Sequence, residues 1–407
     1  MQDLTPRHFL AAFILLLFAT APSAAQLAIR GELVYTMAGD PISDGVVVIR
    51  DGRIAAVGPA SDVAIPDGFE VREAVVVTPG LVDAHSTVGF SGILNSEADQ
   101  DQLETSDPIQ PELRGIDAYN AREPLVAWVR SLGVTTVHTG HGPGALISGQ
   151  TIVVKTAGET LAEALVDSTA MLAMTLGPRV EGNFDSPGTR AKGVAMLRDA
   201  FVKAQDYREG LQSDEEDDRP KRDLKLETLA RVLDGDVPAM ITAHRATEIM
   251  AALRLAEEFG FSLVLDGGAE AYLLLDQIRE AGVPVIVHPT MMRTSGDAEN
   301  AAFTTAAALH EAGIPFAFQS GFEGYVPKTR VVLFEAALAS AYGLGRQAAL
   351  AAATIESARL LGVDARVGSL EVGKDADMAL YDGDPFEYTS RVCTVVIDGV
   401  VVSEECR

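Results

Sequence analysis

Between residues 133 and 361 the chain alternates short runs rich in β-branched residues with longer amphipathic ones, and this alternation restricts the fold more than any other feature. Strands are expected at 133–139, 150–156, 171–176, 239–243, 262–265, 283–287 and 315–318. Helical periodicity fills the gaps at 247–259, 269–281, 301–312, 330–342 and 346–361. With one further strand leading in from residue 79, the pattern predicts an α/β fold, a (β/α)8 barrel of the TIM type. A doubly wound open sheet is the alternative. One segment breaks the rhythm: a long amphipathic helix over 189–211, an acidic run over 213–218 and a second helix over 224–233. The acidic run lacks the Gly-punctuated spacing of a calcium loop and reads as solvated surface.

Both ends of the chain speak a different grammar. Residues 27–77 hold short strands and tight turns, with Asp51-Gly52 as the centre of a hairpin. The stretch 368–402, with its own Asp398-Gly399 turn, repeats that pattern. Neither end has enough strands for a core of its own. They are therefore expected to combine, 26–78 with 365–407, into one small discontinuous β-sandwich beside a barrel of 79–364.

Residues 1–25 resemble a secretory signal. Arg7 and His8 precede an apolar run over 9–19, and Ser23-Ala24-Ala25 offers small residues for cleavage. The run is too short to span a bilayer, and no later segment is long and apolar enough. An exported protein, periplasmic or secreted, is expected, without an integral membrane segment once the signal is removed. A formal net charge of −26 excludes nucleic acid as a partner, because phosphates require Lys and Arg. Cys393 and Cys406 flank the predicted terminal hairpin. They are expected either to pair, as an oxidising compartment allows, or to remain as a buried thiol and a free one.

The strand entering the barrel reads Pro79-Gly80-Leu81-Val82-Asp83-Ala84-His85-Ser86-Thr87. With Gly133-Val134-Thr135-Thr136-Val137, Ile147-Ser148-Gly149-Gln150, Ser186-Pro187-Gly188-Thr189-Arg190, Ala243-His244-Arg245, Gly282-Val283-Pro284-Val285-Ile286 and an ending over 367–377, it resembles the amidohydrolase superfamily, in its imidazolonepropionase-like, prolidase-like branch. The resemblance covers almost the whole mature chain. It implies a hydrolytic divalent metal, usually Zn²⁺, held by His-x-His after strand 1 and bridged by a carboxylated Lys or a Glu. A His after strand 5, a His after strand 6 and an Asp after strand 8 complete the set. His85 and His244 match that pattern. Thr87 stands where the second His belongs, Gly267 where the strand 6 His belongs and Gly321 where the Asp belongs. Lys155 is the one Lys near a strand end in the first half of the barrel. Two inherited ligands fall short of the three that a catalytic zinc takes, so the standard mechanism is expected to be absent.

A second histidine pattern lies over the first. The chain has seven histidines. Beyond His8, only His310 sits within a predicted helix. His85, His138, His141, His244 and His288 all fall at predicted strand C-termini, the face on which barrel active sites lie. Imidazole is both the commonest metal ligand and the usual acid or base near neutral pH. These five are the candidate ligands of a rebuilt site holding one Zn²⁺ or similar ion. The alternative is a set of hydrogen-bonded remnants in a cavity without metal. Asp266 is read either as a displaced carboxylate of the site or as a helix cap. Arg245 is the candidate anchor for an anionic substrate, with a structural ion pair as its other reading. The glycines of 140–144 lack the Lys of a phosphate loop and fit a βα turn. The chain is thus expected to be a hydrolase of C–N bonds in a cyclic amide or small peptide-like molecule. A catalytically inactive homologue acting as a ligand-binding or partner protein is the alternative. The long helices after Ser186 are candidates for a homo-oligomeric interface.

Overall fold

The computed structural model describes residues 26–94, 96–215, 217, 219–290, 296–321 and 332–406. The signal-like segment 1–25 lies outside the described residues. At the N-terminus β1 (Leu27–Val34) pairs antiparallel with β2 (Ile42–Arg50), which pairs with β3 (Arg53–Pro59). In the turn between β2 and β3, Asp51 and Gly52 have φ of 53° and 77°. Positive φ at both central residues is what a tight two-residue hairpin requires, and Asp-Gly supplies it at low cost. A fourth strand, β4 (Glu70–Pro79), returns parallel to β1.

The middle of the chain builds two arcs of strands. One has four: β5 (Leu81–Ser86), β6 (Val134–Thr139), β8 (Ile152–Lys155) and β9 (Leu165–Asp167). The other has six, in the order β14 (Phe316–Phe318), β13 (Val285–Val287), β12 (Leu263–Gly267), β11 (Ala239–Ala243), β10 (Leu172–Thr175) and β7 (Ile147–Gln150). From β10 to β14 neighbouring strands are parallel, as the alternation predicts. The third strand departs from the barrel pattern. β8 runs antiparallel to β6, and β7 antiparallel to β10. The reason is the link before it: only residues 140–146 separate β6 from β7, with no helix among them. A parallel crossover needs about a dozen residues or more. The two arcs meet where β7 passes into β8 through Thr151, and where Ser86 bridges Gly321.

The last strands, β15 (Met378–Tyr381), β16 (Val392–Ile397) and β17 (Val400–Ser403), join the first ones. β15 pairs with β4, giving a seven-stranded order β17-β16-β15-β4-β1-β2-β3. The expected sandwich is thus one continuous sheet rather than two stacked ones, because β4 carries ladders to both β1 and β15. The sheet rolls, since Arg53 at the start of β3 is bridged to Asp375 just before β15. Ile29, Val47, Ile49, Val77, Met378, Leu380 and Val396 fill its interior. Cys393 on β16 forms a disulfide with Cys406, which ties the terminal segment back onto the sheet.

Lys155 at the end of β8 is where this sheet is fastened to the arcs. Its Nζ lies 2.8 Å from Asp375 and 3.2 Å from Asp377, and it also contacts Asp398. Burial alone would lower the Lys155 pKa, but these three carboxylates outweigh it and raise the value. Lys155 is therefore committed to the sheet, and the bridging place implied by the resemblance is not filled by it.

The long helix spans Arg190–Gly210 and is capped by Thr189, whose hydroxyl accepts from the Lys192 N–H. Phe201 on this helix stacks on Phe259 and Phe261, with ring centroids 5.2 and 5.0 Å apart, and so anchors the helix to the Ala246–Phe259 helix and β12. The helix expected over 346–361 is two, Arg346–Ala352 and Ile355–Leu360, broken at Thr354. Among the described residues no helix is long and apolar enough to cross a membrane.

Candidate active site

The end of β5 turns a carboxylate and an imidazole inward, and both are fully or nearly fully buried. His85 Nδ1 lies 3.1 Å from Asp266 Oδ1 on β12. Asp266 also accepts from Thr242 Oγ1 of β11 at 2.6 Å and from Gln319 Nε2, just after β14, at 2.5 Å. One carboxylate thus gathers donors from three other strands. Burial would push its pKa up, but the His85 charge, the bonds from His85 and Thr242, and the His244 charge hold it down to about 2. Since ionised Asp266 can only accept, Nδ1 of His85 must carry the proton.

Asp83, two residues before His85, is in the opposite state. It accepts from the backbone N–H of Ser320 at 3.0 Å and of His85 at 3.3 Å, and from the Ser320 hydroxyl. Burial dominates these bonds and raises its pKa to about 7. Two carboxylates within one cluster are therefore driven apart in acidity, a pattern typical of working sites.

The other candidate residues divide. His138 uses both ring nitrogens within the protein: Nδ1 donates to the Ala84 carbonyl at 2.6 Å, and Nε2 lies 2.6 Å from Thr151 Oγ1. It has no nitrogen left for a metal. Burial lowers its pKa to about 3, so it is neutral. His141 is buried edge-on to Phe90, 5.6 Å between ring centroids, and burial brings it down to about 4. His244 is lowered to about 4, by burial first and by neighbouring His288 second. Arg245 pairs with Glu299 at 2.9 Å and the Gly296 carbonyl at 3.2 Å, the structural role of its two readings. Among the described residues Asp266 caps no helix, and its side-chain bonds run to His85, Thr242 and Gln319. Thr242 and Asp83 lie within strands and Gln319 and Ser320 just after one, and none of the four stands out as a site residue in the sequence. Arg179, which follows β10 and acts electrostatically on Asp266 and His244, was also missed.

These histidines make the fold acid-sensitive. A buried His whose pKa falls from 6.5 to about 3 stabilises the fold above pH 6.5 and withdraws that support as pH drops through this window. For His138 the loss reaches about 3 kcal/mol by pH 4. In His138→Gln the gap in Tm to wild type should narrow steadily between pH 7 and pH 4, because Asp83 and Asp377 titrate alike in both proteins. A gap that stays constant with pH would show that His138 does not carry the effect.

The site's relatives follow from its architecture. The crystal structure of an amidohydrolase from Thermotoga maritima superposes with a TM-score of 0.87 at 30% identity, covering 93% of this chain and all of that one. The chain belongs to the amidohydrolase family. A model of the amidohydrolase family also matches residues 306–402. The imidazolonepropionase of Sphingopyxis alaskensis is 28% identical over 401 residues, 88% of this chain and 92% of its own length. This amidohydrolase accordingly sits in the imidazolonepropionase-like branch and has the mixed α/β fold of its family. Amidohydrolase tasK of Hapsidospora irregularis is 27% identical over 91% of this chain, which spans only 42% of that relative's length. Hydrolysis of C–N bonds is the chemistry of the family, and its members generally use a divalent metal.

The donor set of this amidohydrolase does not fit such a metal. Thr87 in place of a ligand histidine accepts from Ser91 Oγ at 3.0 Å. A Cβ on Gly267 would lie 2.5 Å from His244 Cε1, and one on Gly321 would lie 2.3 Å from His288 Cε1. Both glycines have positive φ, 85° and 77°, which disfavours any other residue. Among the described residues no group of three or more His, Cys, Asp or Glu is arranged to hold a metal ion.

Proposed function

We propose that this amidohydrolase hydrolyses a C–N bond in a cyclic amide or small peptide-like substrate at the His85–Asp266 pair. The observation that carries this reading is the buried bond of 3.1 Å from His85 to an ionised carboxylate, itself held by Thr242 and Gln319. A histidine whose Nδ1–H is tied to a carboxylate is oriented to take a proton at its other nitrogen. In the reaction it receives the proton of the attacking water while the water oxygen bonds to the carbonyl carbon. The C–N bond then breaks, and the same proton passes to the leaving nitrogen. Arg179, on the short helix Pro178–Asn183 after β10, places positive charge near Asp266 and His244.

The test is a hydrolysis panel of cyclic amides and dipeptides, with wild type beside His85→Ala and His244→Ala. Turnover by wild type that drops at least ~100-fold per folded molecule in His85→Ala is the expected result. A folded wild type without turnover on any member would favour the inactive, ligand-binding alternative.

The architecture has a finer reading as well. Taken in ladder order with β9 left outside, the two arcs would make an eight-membered ring, with β7 and β8 as one interrupted strand. Contacts at Ser86–Gly321 and hydrogen bonds of Thr151 with Met171 and Ala170 support closure into a barrel of residues 79–364. Residues 26–78 and 365–407 would then form the satellite. Export is consistent with the signal-like segment and with the Cys393–Cys406 disulfide, since such bonds persist in oxidising compartments.

A further inference from the structure

Two ligand positions of the family are glycine in this chain, and the space beside each is occupied. The His244 ring packs on Gly267, and the His288 ring packs on Gly321, so closely that a single added carbon at either glycine would fall within 2.5 Å of a ring atom. The two imidazoles lie in each other's field. Backbone contacts hold them there: the Glu270 N–H donates to the His244 carbonyl at 2.9 Å, and the His288 N–H donates to the Gly267 carbonyl at 2.9 Å. The histidine after β11 therefore rests against the position that would have carried its partner ligand, and the histidine after β13 rests where a carboxylate would have stood. The carboxylate that this cluster does possess, Asp266, sits one residue earlier on β12. Its bonds run to His85, Thr242 and Gln319, so it orients an imidazole rather than completing a ligand sphere.

We propose that this site works without a divalent cation, with Asp266 as the positioning residue that takes over for His85 the orienting role a metal would have played. The inference deepens the hydrolase reading and rests on it, but it is decided by metal binding rather than by turnover. It also makes the departure from the family self-locking. Reinstating the lost side chains does not reinstate the metal centre, because His244 and His288 fill the volume.

The experiment uses the full chain, stripped with a chelator, exposed to ZnCl₂ and passed through gel filtration before elemental analysis. No stoichiometric zinc is expected in wild type or in His85→Ala/His244→Ala. Gly267→Ala and Gly321→Ala, which add one methyl group each, should lower Tm by several degrees. Gly267→His/Gly321→Asp should gain no zinc, and where that protein fails to fold the two alanine variants decide. About one zinc per wild-type chain, lost in His85→Ala/His244→Ala, would overturn the proposal. So would alanine variants as stable as wild type, which would show the volume to be open. Zinc-free turnover supports both readings. Zinc-dependent turnover leaves the hydrolase standing and removes this inference, whereas a zinc-free protein without turnover removes both.

Discussion

Lys155→Met is expected to destabilise the fold by about 3–5 kcal/mol at neutral pH, the range for removing one partner of a buried ion cluster. Lys155 and the Asp375 and Asp377 carboxylates have at most 4% of their side chains exposed. Asp375 keeps two other cations in the variant, Arg366 at 2.8 Å and Arg53 at 3.3 Å. Among the described residues Asp377 keeps only the Asp398 N–H at 2.8 Å. Burial already pushes Asp377 up to about 6 against the pull of Lys155, so without that cation it must either protonate or remain a bare buried charge. The sign of the pH effect follows. A carboxylate with a raised pKa costs stability as pH climbs through that value, and the cost fades as it protonates below. Denaturation of Lys155→Met should therefore show its largest deficit at pH 7–8 and a smaller one near pH 5. Adding Asp377→Asn should recover part of the loss. Equal stability of Lys155→Met and wild type at pH 7.5 would mean that the cluster does not hold the sheet to the arcs.

Asp266→Asn is the second change with a large expected effect, this time on turnover. The substitution keeps the shape of the carboxylate and removes its charge. An Asn oxygen can still accept from His85 and Gln319, while its amide meets Thr242, whose hydroxyl can accept instead. The fold should therefore change little. What disappears is the negative charge that stabilises the imidazolium formed when water gives up its proton. On any substrate from the panel, kcat should fall on the order of 10²–10⁴-fold with KM nearly constant. Asp266→Ala, which leaves His85 without its tether, should also erase the far-downfield proton resonance of the His85 Nδ1–H. A merely structural Asp266 would lower Tm and leave kcat per folded molecule unchanged, and that outcome would remove it from the site.

Much of this fold was legible in the chain because its signals are local. Asp51-Gly52 and Asp398-Gly399 specify tight hairpin turns, and Thr189 marks a helix start that the structure places at that residue. The 239–243 strand and the 224–233 helix match in both bounds, since apolar periodicity is a property of neighbours in sequence. The direction of the third strand was hidden, because it depends on the short link over 140–146 and on which ladders accept the strand on either side. The candidate site divided in the same way. Five histidines at strand ends could be listed from the sequence, but their partners could not, because Asp266 meets His85, and Gln319 meets Asp266, only through pairing across strands far apart in the chain.

By itself, then, the sequence determined the order of elements, the turns, the family resemblance and the loss of standard ligands at Thr87, Gly267 and Gly321. Only the tertiary structure decided that Lys155 serves the sheet, that Arg245 pairs with Glu299, that His138 spends both nitrogens internally, and that His85 is held by Asp266. The physical reason is range. Propensity and periodicity act within a few residues, whereas a hydrogen bond or a steric filling of space belongs to whichever side chains the completed ladders bring within about 3 Å.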